Sequence, residues 1–384
     1  MQSALICQHD FRAWQGSEIV CCELAEALRT RGVDVTLLCN GYDARRFDAM
    51  NMIGVHVTDD PDHIDPFNFD LIYSHHHVAH LFAPRILDNV ARKGRRFPVM
   101  VYAHLGPQHP LEQPGPWIEQ YLADIVVANS PETQAHLAAV APELPKACVV
   151  RNPAPERFFR DPATFDAPKQ LNRILAVSNS FKPEILEALE KLEDRGISVT
   201  RLGKQFKARR ITPELIAEHD AVLSIGKTAQ YALAMRVPIF CYGGFGGPGW
   251  LDADNFEQAG HLNFSGRSHP QKMTVDGIAV GVTEGFKQAT DFVLGLAEND
   301  LAEFRFETYI ETLDSRVDAL LADTERAERL SRLSEEPVVK SRFDREHAMA
   351  VCIRNEYRKS PLQRLPKNPK RRLWLVKARR RLGL

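Results

Sequence analysis

The stretch from His219 to Asp252 constrains this chain more than any other. An apolar run (221–225) stops at Gly226, a helix opens at Lys227 or Thr228, and a second apolar run (237–242) enters a loop with five glycines between Gly243 and Gly249. Strand, glycine turn, helix and strand in so short a span describe a parallel crossover unit. Ligands of such sheets settle at the carboxyl ends of the strands, and both strand ends here are rich in glycine. Gly226 can take a positive φ, the free N–H groups of the following helix favour an anion, and Lys227 adds a full positive charge. That chemistry suits a phosphate-bearing ligand. Residues 226–228 do not make a nucleoside-triphosphatase loop, because the earlier glycine of that motif would fall at position 221, which is Ala221.

The alternation extends to both sides. Strands are predicted at 4–8, 34–39, 70–74, 98–103, 124–128 and 148–151, with a Ser17-capped helix over 18–31 and another after Ser130-Pro131-Glu132. Residues 160–170 have the composition of a linker. The second half restarts with strands at 173–177 and 198–202 and helices at 183–194 and 213–218. From Thr290 the chain turns helical, through 304–332, and a last helix is predicted over 343–358 after the break at Glu336-Pro337. The pattern predicts an α/β fold of two doubly wound halves facing across a cleft. The expected domains are 1–165, 171–335, a C-terminal helix at 338–360 crossing back to the first domain, and a tail at 361–384.

Composition narrows the classes. With 384 residues, 44% hydrophobic and 26% charged, the chain has room for two cores. No apolar run approaches bilayer length, and the N-terminus reads as a first strand, not a signal peptide. Seven scattered cysteines without a C-x-x-C pair fit reduced thiols, hence a cytoplasmic location. The net charge of −1 hides an asymmetry: residues 361–384 hold nine Lys or Arg and no acid, which leaves −10 on the rest. With Trp374 and several leucines among the basic groups, the tail suits an anionic membrane surface. Nothing in the acidic body suggests nucleic acid.

Several segments carry a resemblance. Gly16-Ser17-Glu18 follows the first strand, and Glu23-Leu24-Ala25-Glu26-Ala27-Leu28 runs on to Arg31-Gly32 and Val35. Further landmarks are Asp70-Leu71-Ile72-Tyr73-Ser74-His75-His76, Ala123 through Ser130, Val149-Val150-Arg151-Asn152-Pro153 and Ile174 through Ser178. Over residues 1–285 these resemble glycosyltransferases with the GT-B fold, particularly the retaining, family-4-like group. The resemblance implies transfer of a sugar from a nucleotide sugar to a saccharide or lipid-linked acceptor, as in cell-surface polysaccharide synthesis, with no separate cofactor. It places the donor in the second half, at the opening segment, and His104 beside the sugar in a catalytic position. It also implies that the leaving phosphate helps to take the acceptor proton.

The chain departs from that family at the donor. Two glutamates usual there fall on Leu223 and Tyr231, and of the basic pair on the diphosphate Asn179 replaces one while Lys182 keeps the other. A departing diphosphate calls for cations and helix N-termini. Lys182, Lys227 and Arg267 are therefore the expected diphosphate ligands, with Gly16, Gly226, Thr228, Gly246 and Gly247 around them. His75 and His76 are expected on the acceptor side. The His76/His80 spacing is that of a helical zinc pair, but no Cys or acidic ligands lie nearby in sequence, so no metal is expected. Two alternatives remain open: a non-catalytic nucleotide-sugar-binding subunit, suggested by Leu223 and Tyr231, and a sugar-nucleotide epimerase of the same fold.

Overall fold

The structure, a computed structural model, describes residues 1–359 apart from 13, 15, 91–95 and 162–167. The basic tail and its expected membrane contact lie outside the described residues, as does most of the linker. β1 (Ser3–Gln8), β2 (Asp34–Cys39), β3 (His56–Thr58), β4 (Leu71–His75), β5 (Val99–His104), β6 (Ile125–Ala128) and β7 (Cys148–Val149) form one sheet in the order β3-β2-β1-β4-β5-β6-β7. Every pairing in it is parallel. A second sheet, in the order β12-β11-β10-β8-β9, holds β8 (Arg173–Val177), β9 (Ser198–Leu202), β10 (Ala221–Ser224), β11 (Ile239–Gly243) and β12 (Gly246–Trp250). These are the two doubly wound halves.

Alternate residues of each strand feed cores on opposite faces of the sheet. Leu5, Ile72, Met100 and Tyr102 enter one cluster, and Ile6, Tyr73, Val99 and Val101 enter the other. Helices cover both faces, so all six residues of β5 are buried. Strand order reverses at β1/β4 in the first sheet and at β8/β10 in the second, which opens a crevice at the carboxyl ends of each.

Two expectations need correction. The glycine loop is a hairpin: β12 turns back antiparallel on β11 and forms the sheet edge. The return to the first domain also begins earlier than position 338. The chain crosses at Ala154, whose N–H donates to the Phe304 carbonyl, and Phe306 donates back to the Ala154 carbonyl. From there the helix Phe306–Ala322 buries Phe306, Ile310, Leu313 and Val317 in a core of the first sheet. Four such side chains contribute roughly 6–12 kcal/mol of apolar burial, which is why this helix leaves the donor half. The last helix, Pro337–Lys359, docks Val339, Phe343 and Ala350 into the other core of the same sheet.

Candidate donor site

A cavity of about 450 Å³ lies at the β8/β10 crevice. Its walls come from the ends of four strands. Val177, Ser178, Asn179, Ser180 and Lys182 follow β8; Leu202, Gly203, Ala208, Arg209 and Ile211 follow β9; Ser224, Ile225, Lys227 and Thr228 follow β10; Gly244 and Phe245 follow β11. Trp14, Gly16 and Ile19, from the first loop and helix of the other domain, close it from across the cleft. Three cations and no carboxylate or histidine stand among the described residues that line it.

Backbone geometry adds to that positive field. Gly226 has φ +59° and turns β10 into the helix Lys227–Ala234. The first amides of a helix have no intrahelical carbonyl to bond, and the first two residues of this one, Lys227 and Thr228, line the cavity. Lys182 caps the helix Pro183–Asp194, whose N-terminus meets the same space. Gly203, at φ +139°, lets β9 pass so close to β8 that a Cβ there would sit 1.7 Å from the Ser178 carbonyl oxygen. Trp14, Ser178, Gly203 and Arg209 are not marked as site residues by the sequence, whereas Gly244 and Phe245 lie in its glycine loop. The basic run from Lys204 to Arg210 directly after a predicted strand was the available signal.

Of the expected donor residues, Gly16, Lys182, Lys227 and Thr228 line the cavity, and Gly226 supplies its turn. Lys227, however, does not offer its charge. Its Nζ lies 2.6 Å from Glu23 Oε2 and donates to the carbonyls of Asn152 (3.2 Å) and Pro153, so its charge is matched by a carboxylate and two of its protons are bonded within the protein. Burial holds its pKa below the ordinary lysine value, against the upward pull of Glu23. Tyr231 joins the same contact: its hydroxyl donates to Glu23 Oε1, and its ring stacks on Phe158 at 4.0 Å. Lys227 and Tyr231 thus latch the donor domain to the helix Gly16–Thr30. Arg267 is a second tie, its guanidinium paired with Glu132 of the first domain, and it does not line the cavity. Gly246 and Gly247 do not line it either. A Cβ at Gly247 would fall 2.0 Å from the Cys241 carbonyl oxygen, so that glycine lets β12 approach β11.

The histidines are also corrected. His104 is 4% exposed, and its Nδ1 donates to the Glu112 carbonyl at 2.8 Å while Nε2 donates to Glu119 at 3.1 Å. Burial lowers its pKa, but the Glu119 carboxylate outweighs that and the value is raised. With both ring nitrogens donating, no lone pair remains to act as a base. His75 is fully buried against Cys21, and burial drops its pKa to about 3. His76 takes φ +58° and bonds Glu112 at 3.0 Å. Neither presents an open acceptor face.

Against this geometry, known proteins were compared. Residues 14–157 match the family described as Glycosyltransferase Family 4. HepE from Anabaena, solved with UDP and glucose, superposes with a TM-score of 0.51 at 14% identity, over 82% of this chain and 100% of its own. A glycosyltransferase from Rickettsia africae gives a TM-score of 0.51 at 13% identity, over 84% and 99%. The fold is GT-B. The match to family 4 falls on the first GT-B domain, where Gly16-Ser17-Glu18 and the Glu23 to Val35 pattern lie, so the expected resemblance to GT-B, family-4-like glycosyltransferases is found over that domain. Glycosyl transfer is the chemistry these likenesses support. The comparison with curated proteins returned no match. Among the described residues no helix is long and apolar enough to cross a membrane.

Proposed function

We propose that the chain moves a sugar from a nucleoside-diphosphate donor to a saccharide or lipid-linked acceptor, with retention, from the cytoplasmic face of a membrane. The observation that carries this is the cavity at the β8/β10 crevice: Lys182, Arg209 and two helix N-termini around a space with no carboxylate among its described lining residues. A departing diphosphate is stabilised by that field. The UDP complex of HepE makes UDP and UDP-glucose the first probes. The tail at 361–384 supplies the membrane contact in this proposal, and its deletion should abolish binding to anionic liposomes.

A second reading has its own support. Leu223 is buried, and Tyr231 faces Glu23 in place of a sugar. That favours a subunit that holds a nucleotide sugar without transferring it. An epimerase has less support, because the described residues that line the cavity include no acid and no histidine. Calorimetry with a panel of nucleoside diphosphates and their sugars, with Lys182→Ala as control, separates these readings. Transfer or hydrolysis of a bound donor supports the enzyme, and binding with neither supports the subunit. No binding at millimolar donor eliminates both.

A further inference from the structure

Among the buried histidine and glutamate groups of the first domain, His104 and His76 are bonded to Glu119 and Glu112, but His80 is not satisfied by its neighbours. His80, in the short helical turn Ala79–Phe82, is fully buried. Its Nδ1 faces Glu346 Oε1 at 3.2 Å and its Nε2 faces Glu119 Oε1 at 3.5 Å, yet neither contact is aligned as a hydrogen bond and Glu346 Oε1 has no other partner. Glu119 is compensated by the Gly115 amide at 2.9 Å and by His104 at 3.1 Å, so the uncompensated atoms are the two His80 nitrogens and Glu346 Oε1, and leaving these buried is costly unless a cation joins them. His77, half-buried, brings a further ring whose centroid lies 5.0 Å from that of His80.

We infer that His77, His80 and Glu346 form a binding site for a divalent transition metal ion of the zinc type. One ligand atom from each lies within 4.8 Å of the other two, so a small closure brings them to the roughly 2.0–2.2 Å at which zinc takes imidazole nitrogen and carboxylate oxygen. Two imidazoles select zinc over magnesium or calcium. The surroundings are prepared for the ligands. Glu346 Oε2 is held by the Trp117 and Ile118 amides at 3.0 and 2.8 Å, which leaves Oε1 to point at His80. With Nδ1 on the metal, His80 Nε2 faces Glu119 Oε1 at 3.5 Å, close to the carboxylate–histidine–metal arrangement that fixes a ligand's tautomer. At Gly115 a Cβ would fall 1.8 Å from Glu346 Oε1 and 2.6 Å from His80 Cε1, so only glycine lets that loop pass the site. Glu346 sits on the helix Pro337–Lys359, far from the histidines in sequence. The ion would therefore staple the last helix of the chain to the histidine turn of the first domain.

The full-length protein, stripped with EDTA and titrated with Co²⁺ and Zn²⁺, tests this. One equivalent of Co²⁺ should produce the ligand-field absorption of a low-coordinate site, Zn²⁺ should displace it, and Zn²⁺ should raise the melting temperature while EDTA lowers it. His77→Ala removes a half-buried ligand without breaking a hydrogen bond, and Glu346→Gln keeps the amide contacts of Oε2. Each should weaken Zn²⁺ binding by more than about tenfold, and the Zn²⁺-dependent gain in melting temperature should vanish in both. No Co²⁺ spectrum, a melting temperature indifferent to Zn²⁺ and EDTA, or a His77→Ala protein that binds like the parent would overturn the site and leave a buried ion pair in its place.

Discussion

Lys227→Met separates a domain latch from a diphosphate ligand. The lysine is 7% exposed and Glu23 is 1% exposed, with 2.6 Å between charges, so removing the amine leaves a carboxylate in the interior. Breaking a buried pair from one side costs about 3–5 kcal/mol. Glu23 would keep the Tyr231 hydroxyl and the Arg157 guanidinium at 3.9 Å, which places the expectation near the lower bound. At roughly 2–4 °C per kcal/mol for a domain of this scale, the melting temperature should fall by about 6–12 °C. The double variant Glu23→Gln/Lys227→Met leaves no unpaired charge and should recover on the order of 1–2 kcal/mol. Thermal and urea unfolding of the four proteins of this cycle give the coupling, and calorimetry with UDP on the folded variants gives affinity. Affinity should stay within about twofold, whereas loss of a charge-assisted contact to the diphosphate would weaken it roughly 10- to 150-fold. A variant as stable as the parent but weakened to that degree would refute the latch and restore Lys227 as a donor ligand.

Three other outcomes follow from the same geometry. Lys182→Ala should weaken UDP binding about 10- to 100-fold with no change in melting temperature, as calorimetry and thermal unfolding would show. Gly203→Ala places a methyl group against the Ser178 carbonyl at a φ that disfavours side chains; it should lower the urea-derived stability by about 2 kcal/mol or more and weaken UDP binding through Ser178, and unchanged values of both would exclude the close approach. His9 is held at about 4 by burial first and by His76 second, and its Nδ1 accepts from the Asn40 amide at 3.1 Å, which only the neutral ring can do. Below about 6.5 the unfolded ring binds a proton that the folded ring refuses, so stability falls as pH drops from 6.5 to 4, by up to roughly 3 kcal/mol, and His9 has no influence above that window. His9→Gln should flatten this part of the curve of melting temperature against pH; an unaltered slope would remove His9 as the cause.

What was legible in the sequence was local or periodic. The strands at 173–177 and 198–202 and the helix at 183–194 coincide with β8, β9 and Pro183–Asp194, because apolar alternation and a proline at the first turn act within a few residues. The Ser130-Pro131 start holds for the same reason: Ser130 Oγ accepts from the Thr133 amide at 3.1 Å. The glycine-rich hairpin looks like a loop in the sequence because β12, Gly-Gly-Pro-Gly-Trp, has almost no strand-forming side chains and is held by its pairing to β11.

By itself, then, the sequence determined two wound sheets, their order along the chain and the crevice where an anion would sit, since these depend on hydrophobic period and turn chemistry. Only the tertiary structure decided which charges remain free to act there. Lys227 looked like an anion ligand until Glu23 came against it from across the cleft, and His104 looked like a base until Glu119 and the Glu112 carbonyl took both its nitrogens. The acidic ligand absent from the neighbourhood of His77 and His80 in sequence arrives as Glu346 on the last helix, after the chain has come back to the first domain. A charge is described by its partners, and partners distant in sequence meet only once the chain has packed.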